Sequence, residues 1–133
     1  MTIRVLFRWL LAAIFFVAGI LHLAIPEPFM DIAPNWVPYG RQVILLTGLA
    51  EIAGAVGLMI PRARKAAGIC LALYAICVFP ANIHHAQIDL DRARPLLGWA
   101  YHGPRLLLQP VIVWWALWVG EVIDWPFRRP QAA

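Results

Sequence analysis

The chain has 133 residues, of which 62% are hydrophobic and 14% are charged. A water-soluble domain carries about a quarter charged residues, so this composition excludes an ordinary soluble fold and indicates a surface that faces lipid. The length predicts one domain, residues 1–133. The formal net charge of +4 does not indicate nucleic acid as a partner, because the basic residues flank apolar runs and are not gathered on one water-facing surface.

Four apolar runs follow one another along the chain, each near the about 20 residues that cross a bilayer as a helix. They cover about residues 5–25, 43–60, 66–83 and 106–123. The first run follows two arginines as a signal peptide would, but it is too long for one and no small-residue cleavage site follows it, so we expect a retained helix. The predicted fold is an all-α integral membrane protein, an up-and-down bundle of four transmembrane helices.

Basic residues predict how the four spans are oriented. One set of flanks, shared by the two termini and the turn after Pro61, holds seven of them: Arg4, Arg8, Arg62, Arg64, Lys65, Arg128 and Arg129. The opposite flanks hold four: Arg41, Arg92, Arg94 and Arg105. Because cytoplasmic loops carry an excess of Arg and Lys, both termini are predicted to lie in the cytoplasm.

The two outer connections differ from the short inner turn. Residues 26–40 hold four prolines, which predicts no regular helix, although Phe29 and Trp36 favour a segment that rests in the membrane interface. Residues 84–104 carry alternating charges with Pro and Gly, which predicts a solvated loop with at most one helical turn. No metal site is predicted there, because the histidines lack the spacing of a helical zinc site. They are His84, His85 and His102.

The only cysteines, Cys70 and Cys77, lie seven residues apart inside the third apolar run. In a straight helix their Cα atoms are about 10 Å apart, at 1.5 Å per residue. A disulfide needs less than about 7 Å, so the two cannot pair within one helix. They also form no CxxC redox motif. We therefore expect both to be small buried residues of the core.

Polar side chains inside the spans are the candidate functional groups, because burying them in hydrocarbon is costly. Five of them fall in the outer half or the middle of the predicted bundle: His22, Glu51, Asn82, Arg105 and Gln109. Together they predict a polar pocket open toward the outer side. The alternative is a set of interhelical hydrogen bonds, each worth about 0.6 kcal/mol. Glu51 is the strongest candidate for function, since a carboxyl in mid-span needs a partner or a proton. No catalytic constellation is predicted.

Small residues surround Glu51 on its helix. Gly48, Gly54 and Gly57 lie at −3, +3 and +6 from it. Glycines at these positions are typical of close helix packing. The same glycines would also leave room beside the carboxyl for a ligand or for a polar group of another helix, and their spacing is compatible with both interpretations.

Five segments in chain order resemble the DoxX-like family of membrane proteins. They are Gly19–His22 (GILH), Pro34–Pro38 (PNWVP), Gly48–Gly54 (GLAEIAG), Phe79–Ile83 (FPANI) and the pair Arg105 and Gln109 before Trp114-Trp115. The resemblance covers about residues 4–123. Leu23 departs from it, since members often place an aromatic residue after the histidine.

The resemblance implies a four-helix protein of the bacterial plasma (inner) membrane. Family members are linked to thiosulfate:quinone oxidoreduction, to membrane complexes that protect against oxidative stress, and to protein maturation. Eukaryotic relatives act as assembly chaperones for membrane receptors. The redox-active cysteine pair of a thiol-oxidising member is missing from this sequence, which argues against that chemistry.

Three functions follow as hypotheses. The first is an accessory subunit of a quinone- or lipid-linked redox process, in which Glu51 and His22 exchange protons with a quinone head that Arg105 and Gln109 orient. It would hold no cofactor of its own except the quinone, and it would contact membrane lipids and a membrane or soluble redox protein. The second is a non-enzymatic assembly factor or chaperone with a purely structural polar layer. The third, ranked last, is a small transporter, which would need an oligomer such as a homodimer.

Overall fold

The computed structural model describes residues 2–126, and every regular element in that range is helical. The elements are α1 (Ile3–Ala24), α2 (Glu27–Asp31), α3 (Gly40–Met59), α4 (Arg64–Leu90) and α5 (Gly98–Val119). The prediction of an all-helical protein is therefore confirmed for this part of the chain. Arg128 and Arg129, which entered the orientation count, lie outside the described residues.

Three helices, α1, α3 and α4, are long and apolar enough to cross a membrane. Their most apolar 18-residue windows have mean hydropathies of 2.1, 1.7 and 2.0. The expectation of a membrane protein is thus supported by three candidate spans. Helix α5 has 22 residues and is not among them, because tryptophans, prolines and two basic side chains interrupt its aliphatic residues.

The end of α4 and the start of α5 differ from the prediction. Helix α4 continues through Pro80 to Leu90, and α5 already begins at Gly98. The predicted loop over residues 84–104 is therefore wrong, and the actual connection comprises residues 91–97. On the first outer connection, the five-residue helix α2 forms within the proline-rich segment, with Pro28 in its first turn, where a missing N–H costs nothing.

A buried carboxylate organises the turn between α4 and α5. Asp89 accepts hydrogen bonds from the backbone N–H groups of Leu96, Leu97 and Gly98 at 2.9, 3.1 and 2.9 Å. Its Oδ2 also lies 3.2 Å from Nε2 of His102, which is fully buried. Gly98 has φ of +65°, a conformation that glycine adopts without steric cost. The sequence predicts Asp89 to be solvated, but in the structure it is buried and stabilises the turn.

Contacts between helix ends define two ends of the molecule. At the Glu121 end, the starts of α1 and α4 contact Glu121 after α5, and Arg64 donates to the Leu58 carbonyl near the end of α3. At the opposite, Asp89 end, the end of α4 contacts the start of α5. The apolar core occupies the half nearer the Glu121 end. Its members with less than 3% exposure are Leu11, Ala55, Leu58, Leu71, Ala116, Trp118 and Val119.

Small residues bring neighbouring helices into close contact in this half. A Cβ atom added to Gly57 of α3 would lie 2.9 Å from Cβ of Ala67 on α4. A Cβ atom added to Gly68 of α4 would lie 2.8 Å from Cα of Gly120, directly after α5. Such approach of backbones is the usual source of packing energy between helices in a membrane.

Charged residues at the Glu121 end pair with one another. Glu121 Oε1 accepts hydrogen bonds from Arg8 at 2.7 Å and from Arg64 at 3.0 Å. Arg8 is 5% exposed and also donates to the Val119 carbonyl at 2.9 Å. Arg4 pairs with Asp124 at 2.7 Å. These contacts tie α1 and α4 to the segment that follows α5, so Arg8 is a buried structural residue and not a flank that meets lipid headgroups.

Candidate functional site

A cavity of about 820 Å³ lies toward the Asp89 end of the long helices. Its wall includes residues of α1, α3, α4 and α5 together with the segment 29–37. All five polar residues that the sequence singles out line it: His22, Glu51, Asn82, Arg105 and Gln109. The structure thus brings together side chains that are far apart in the sequence. Their role in ligand binding remains a prediction.

The rest of the wall is mainly apolar. Aliphatic residues alternate with the aromatic side chains of Phe15, Phe29, Tyr74 and Trp115. A concave site of several hundred Å³ with apolar walls and a few polar groups is the usual form of a small-molecule site.

Glu51 and His22 form the first polar pair of the cavity. His22 Nδ1 lies 2.9 Å from Glu51 Oε2 and 2.8 Å from the carbonyl oxygen of Ala18. The single N–H at Nδ1 can donate to one of these oxygens at a time, and its direction suits Ala18, one turn earlier on α1. Among the described residues, Glu51 Oε2 consequently has no hydrogen-bond partner of good geometry. A buried acceptor without a donor is costly, so the carboxyl needs a proton or a donor from a ligand.

Close contact between α1 and α3 places this pair. A Cβ atom added to Gly48 would lie 2.8 Å from Cβ of His22 and 2.9 Å from the carbonyl oxygen of Gly19. Side chains of α4 occupy the space beside Gly54 and Gly57 in the same way. Of the two interpretations of these glycines, the structure supports close helix packing. At Gly48 that packing is also what brings His22 to Glu51.

Two further hydroxyl groups line the cavity and were not among the predicted site residues. Tyr74 is close enough to the Glu51 carboxyl to be coupled to it electrostatically. Thr47 donates its own hydroxyl hydrogen to the Ile44 carbonyl at 2.7 Å. Both residues line the cavity. A phenol hydroxyl in the middle of an apolar run is the signal that would have identified Tyr74, because a buried tyrosine hydroxyl usually finds a polar partner.

Asn82 and Gln109 form the second polar pair. Asn82 Nδ2 donates to Gln109 Oε1 at 3.0 Å across the interface of α4 and α5. Gln109 Nε2 in turn donates to the backbone carbonyl of Ala75. These contacts are interhelical hydrogen bonds, as expected if the polar residues hold the helices together and do not bind a ligand. The same two amides also face the cavity, where they retain capacity for further hydrogen bonds.

Arg105 lies nearest the Asp89 end of the cavity. Its Nη1 is 2.7 Å from His85 Nδ1, and its Cζ atom lies 5.8 Å from the ring centroid of Tyr101. His85 and Ile32 also line a smaller cavity of about 230 Å³ beyond this pair. The basic side chain beside Glu51 is therefore His22 and not Arg105.

The three histidines that the sequence places in the second outer connection lie in α4 and α5 and contact three different partners. His84 Nδ1 contacts the carbonyl oxygen of Ile32 at 3.0 Å, whereas His85 contacts Arg105 and His102 contacts Asp89. No group of three potential metal ligands occurs among residues 2–126.

Both cysteines are exposed on α4, so the prediction that they are buried core residues is wrong. The buried stripe of α4 contains Ala67, Leu71 and Ala75, and the cysteines lie on other faces of the same helix. Cys77 lines the cavity and Cys70 does not.

Comparison with known sequences places the chain in a family. The sequence profile of the family described as "Domain of unknown function (DUF8561)" matches residues 11–120. The chain belongs to this family, and the match includes all five predicted polar residues and the glycines around Glu51. No curated protein and no solved structure matches the chain.

Proposed function

For this DUF8561 protein we propose a four-span membrane fold in which α5 crosses the bilayer beside α1, α3 and α4. Its 22 residues extend about 33 Å at 1.5 Å per residue, which covers the hydrocarbon core. Contacts along its whole length support this assignment. Gly120, directly after α5, packs on Gly68 of α4 at one end, and His102 contacts Asp89 of α4 at the other.

We propose further that both termini face the cytoplasm of a bacterial cell. Within residues 2–126, five Arg and Lys residues at the Glu121 end against four toward the Asp89 end support this orientation under the positive-inside rule. Exposed aromatic residues support two membrane interfaces: Trp9 and Trp125 toward one end, and Trp36, Tyr39 and Trp99 toward the other.

Within that bundle, we propose that the cavity binds the ring-shaped head of a membrane quinone or a similar amphipathic lipid. The observation that carries the proposal is the convergence of five polar residues from four helices on one otherwise apolar cavity. A quinone head offers two oxygens to hydrogen-bonding groups and a flat ring to apolar and aromatic walls. The protein would then be an accessory subunit of a quinone- or lipid-linked redox process.

Each polar pair has a role in this proposal. Glu51, with His22 beside it, would hold a proton next to one oxygen of the head, because Glu51 Oε2 is buried and has no donor of good geometry of its own among the described residues. Asn82 and Gln109 would hydrogen-bond the head from the side of α4 and α5. Arg105 would bound the site toward the Asp89 end.

A redox protein in the membrane or at its surface would exchange electrons with the quinone. The resemblance to DoxX-like proteins supports such a partnership, and kinship with that family is part of the proposal.

Binding of quinone analogues tests the function. The apparent unfolding temperature of the purified protein is measured in mild detergent with decylubiquinone and with a menaquinone analogue. A ligand at about 100 times its Kd adds about 2.7 kcal/mol to the free energy of unfolding, so we expect a clear rise for the wild type. Glu51→Gln should lose most of that rise.

Glu27→Gln is the matched control. It makes the same chemical change in an exposed acid that pairs with Arg41 outside the cavity, and we expect it to respond as the wild type does. An equal response of wild type and Glu51→Gln would refute the proposal. If no analogue stabilises the wild type while one membrane protein co-purifies with it reproducibly, the assembly factor becomes the better hypothesis.

A further inference from the structure

We propose that the cavity is entered sideways, from the hydrocarbon of the membrane, through a portal between α1 and α5. This inference rests on the four-span arrangement proposed above. It follows from the way in which each side of the cavity is closed.

Two of the sides are held shut by direct contacts between helices. On one side, the backbones of α1 and α3 meet at Gly19 and Gly48. On another, α4 and α5 are joined by the bond between Asn82 and Gln109, and the His85–Arg105 contact adds a second link nearer the Asp89 end. A ligand would have to break interhelical hydrogen bonds to pass between α4 and α5.

The segment 29–37 forms part of the cavity wall at the Asp89 end. The Phe29 ring stacks on His22 with 3.8 Å between centroids, which holds the segment to α1. The Ile32 carbonyl contacts His84 Nδ1 at 3.0 Å, which holds it to α4. Pro34, within this segment, is buried. We expect the segment to separate water at the Asp89 end from Glu51.

On the side between α1 and α5, direct contacts between the helices occur at the Glu121 end alone. There, Phe7 contacts Trp115 edge-to-face at 5.6 Å and Arg8 donates to the Val119 carbonyl. Nearer the Asp89 end, no hydrogen bond, ion pair or ring contact joins α1 to α5 within residues 2–126.

Residues that line the cavity are exposed on both sides of this gap. Ile14 of α1 is 49% exposed, and Leu108 and Val111 of α5 are 52% and 45% exposed. All three are aliphatic, so the gap presents an apolar surface to the bilayer. A lipid-soluble ligand could place its head near Glu51 while its tail stays in the membrane, without exposing the tail to water.

Collision of paramagnetic reagents with a spin label tests the portal without any ligand. The label is attached to Ala18→Cys, inside the cavity, in a background that carries Cys70→Ser and Cys77→Ala. The protein is reconstituted in lipid bilayers, and collisions are measured with oxygen, which dissolves in hydrocarbon, and with a water-soluble nickel chelate. We expect frequent collisions with oxygen and few with nickel.

Bulky substitutions identify the side of entry. Val111→Trp should fill the portal and reduce oxygen collisions toward those of a label in the packed core. Leu107→Trp is the matched control, because Leu107 is a neighbour on α5 that is 75% exposed and does not line the cavity; it should change nothing.

Three results would overturn the inference. Frequent nickel collisions at Ala18→Cys would mean that the cavity opens to water. Loss of oxygen collisions with Val43→Trp on α3, but not with Val111→Trp, would place the entrance between α3 and α4. A label at Leu107→Cys that collides with nickel would show that α5 faces water, which removes the four-span arrangement and leaves quinone binding to its own test.

Discussion

Gly48→Ala tests whether helix packing sets the geometry of the Glu51–His22 pair. The new methyl carbon would lie 2.8 Å from Cβ of His22 and 2.9 Å from the Gly19 carbonyl oxygen, whereas ordinary contact begins at 3.4 Å. Helices α1 and α3 must therefore separate by a few tenths of an ångström, and ordinary contact with Cβ of His22 requires 0.6 Å, the difference between 3.4 and 2.8 Å. Backbone atoms form part of the clash, so a change of side-chain rotamer alone cannot relieve it.

The expected cost combines two opposing effects. Over-packing of a tight contact typically costs about 1–3 kcal/mol, and replacing glycine by alanine within a helix returns up to about 1 kcal/mol. We expect a net loss of about 1 kcal/mol in the free energy of unfolding. The displacement also moves His22 away from Glu51, so the response to a quinone analogue should fall although both side chains are still present.

The assay is the apparent unfolding temperature in detergent, with and without decylubiquinone. Gly103→Ala is the matched control, because a Cβ atom at this helical glycine meets no atom within 4 Å. That variant should be as stable as the wild type or more stable, and it should keep the ligand response. If Gly48→Ala retains both the stability and the response of the wild type, close packing does not position the pair.

Two further predictions concern the ends of the molecule. Asp89→Ala removes the acceptor of three backbone N–H groups in the turn before α5, so its unfolding temperature should fall well below that of the control Asp91→Ala, which alters an exposed acid next to the same turn. Arg8→Gln breaks the contact with Glu121 and should lower the free energy of unfolding by on the order of 2 kcal/mol, as the loss of a charged hydrogen bond does. The control Arg62→Gln changes an exposed residue at the same end and should be neutral. Thermal unfolding in detergent measures all four variants, and a variant that is as stable as its control would contradict the contacts described for it.

The sequence allowed the convergence of polar side chains to be predicted because depth in a membrane follows from position along a span. His22 near the end of one apolar run and Asn82 near the end of another reach the same level once neighbouring helices run in opposite directions. Hydropathy therefore predicts the depth of each polar group along the helix axes. Which of them touch depends on helix rotation, so the pairing of Glu51 with His22 and not with Arg105 required the structure.

The ends of α4 and α5 depend on contacts that hydropathy does not encode. Alternating charges around Asp89 resemble a solvated loop, yet this carboxylate is buried because it satisfies three backbone N–H groups at once. The sequence also does not show which face of α4 is buried. Cys77 and Ala75 are both small and apolar, and only the packing against α3 and α5 decides that Ala75 enters the core and Cys77 does not.

Buried polar groups that stabilise the fold have hydrogen-bond partners, whereas the candidate functional group, Glu51, has an atom without one within residues 2–126. Asp89 and Arg8 are buried with their charges matched by several partners, which is how polar groups that stabilise a fold are expected to look. In the described part of the chain, atoms of Arg4, Glu51 and His102 are buried without such a partner. Of these three residues only Glu51 lines the cavity. Glu51 lies beside an imidazole and has an acceptor atom, unpaired among the residues described, at the wall of an apolar cavity. A ligand that donates a hydrogen bond would stabilise this group most. Glu51→Gln is therefore the most informative single substitution in the molecule.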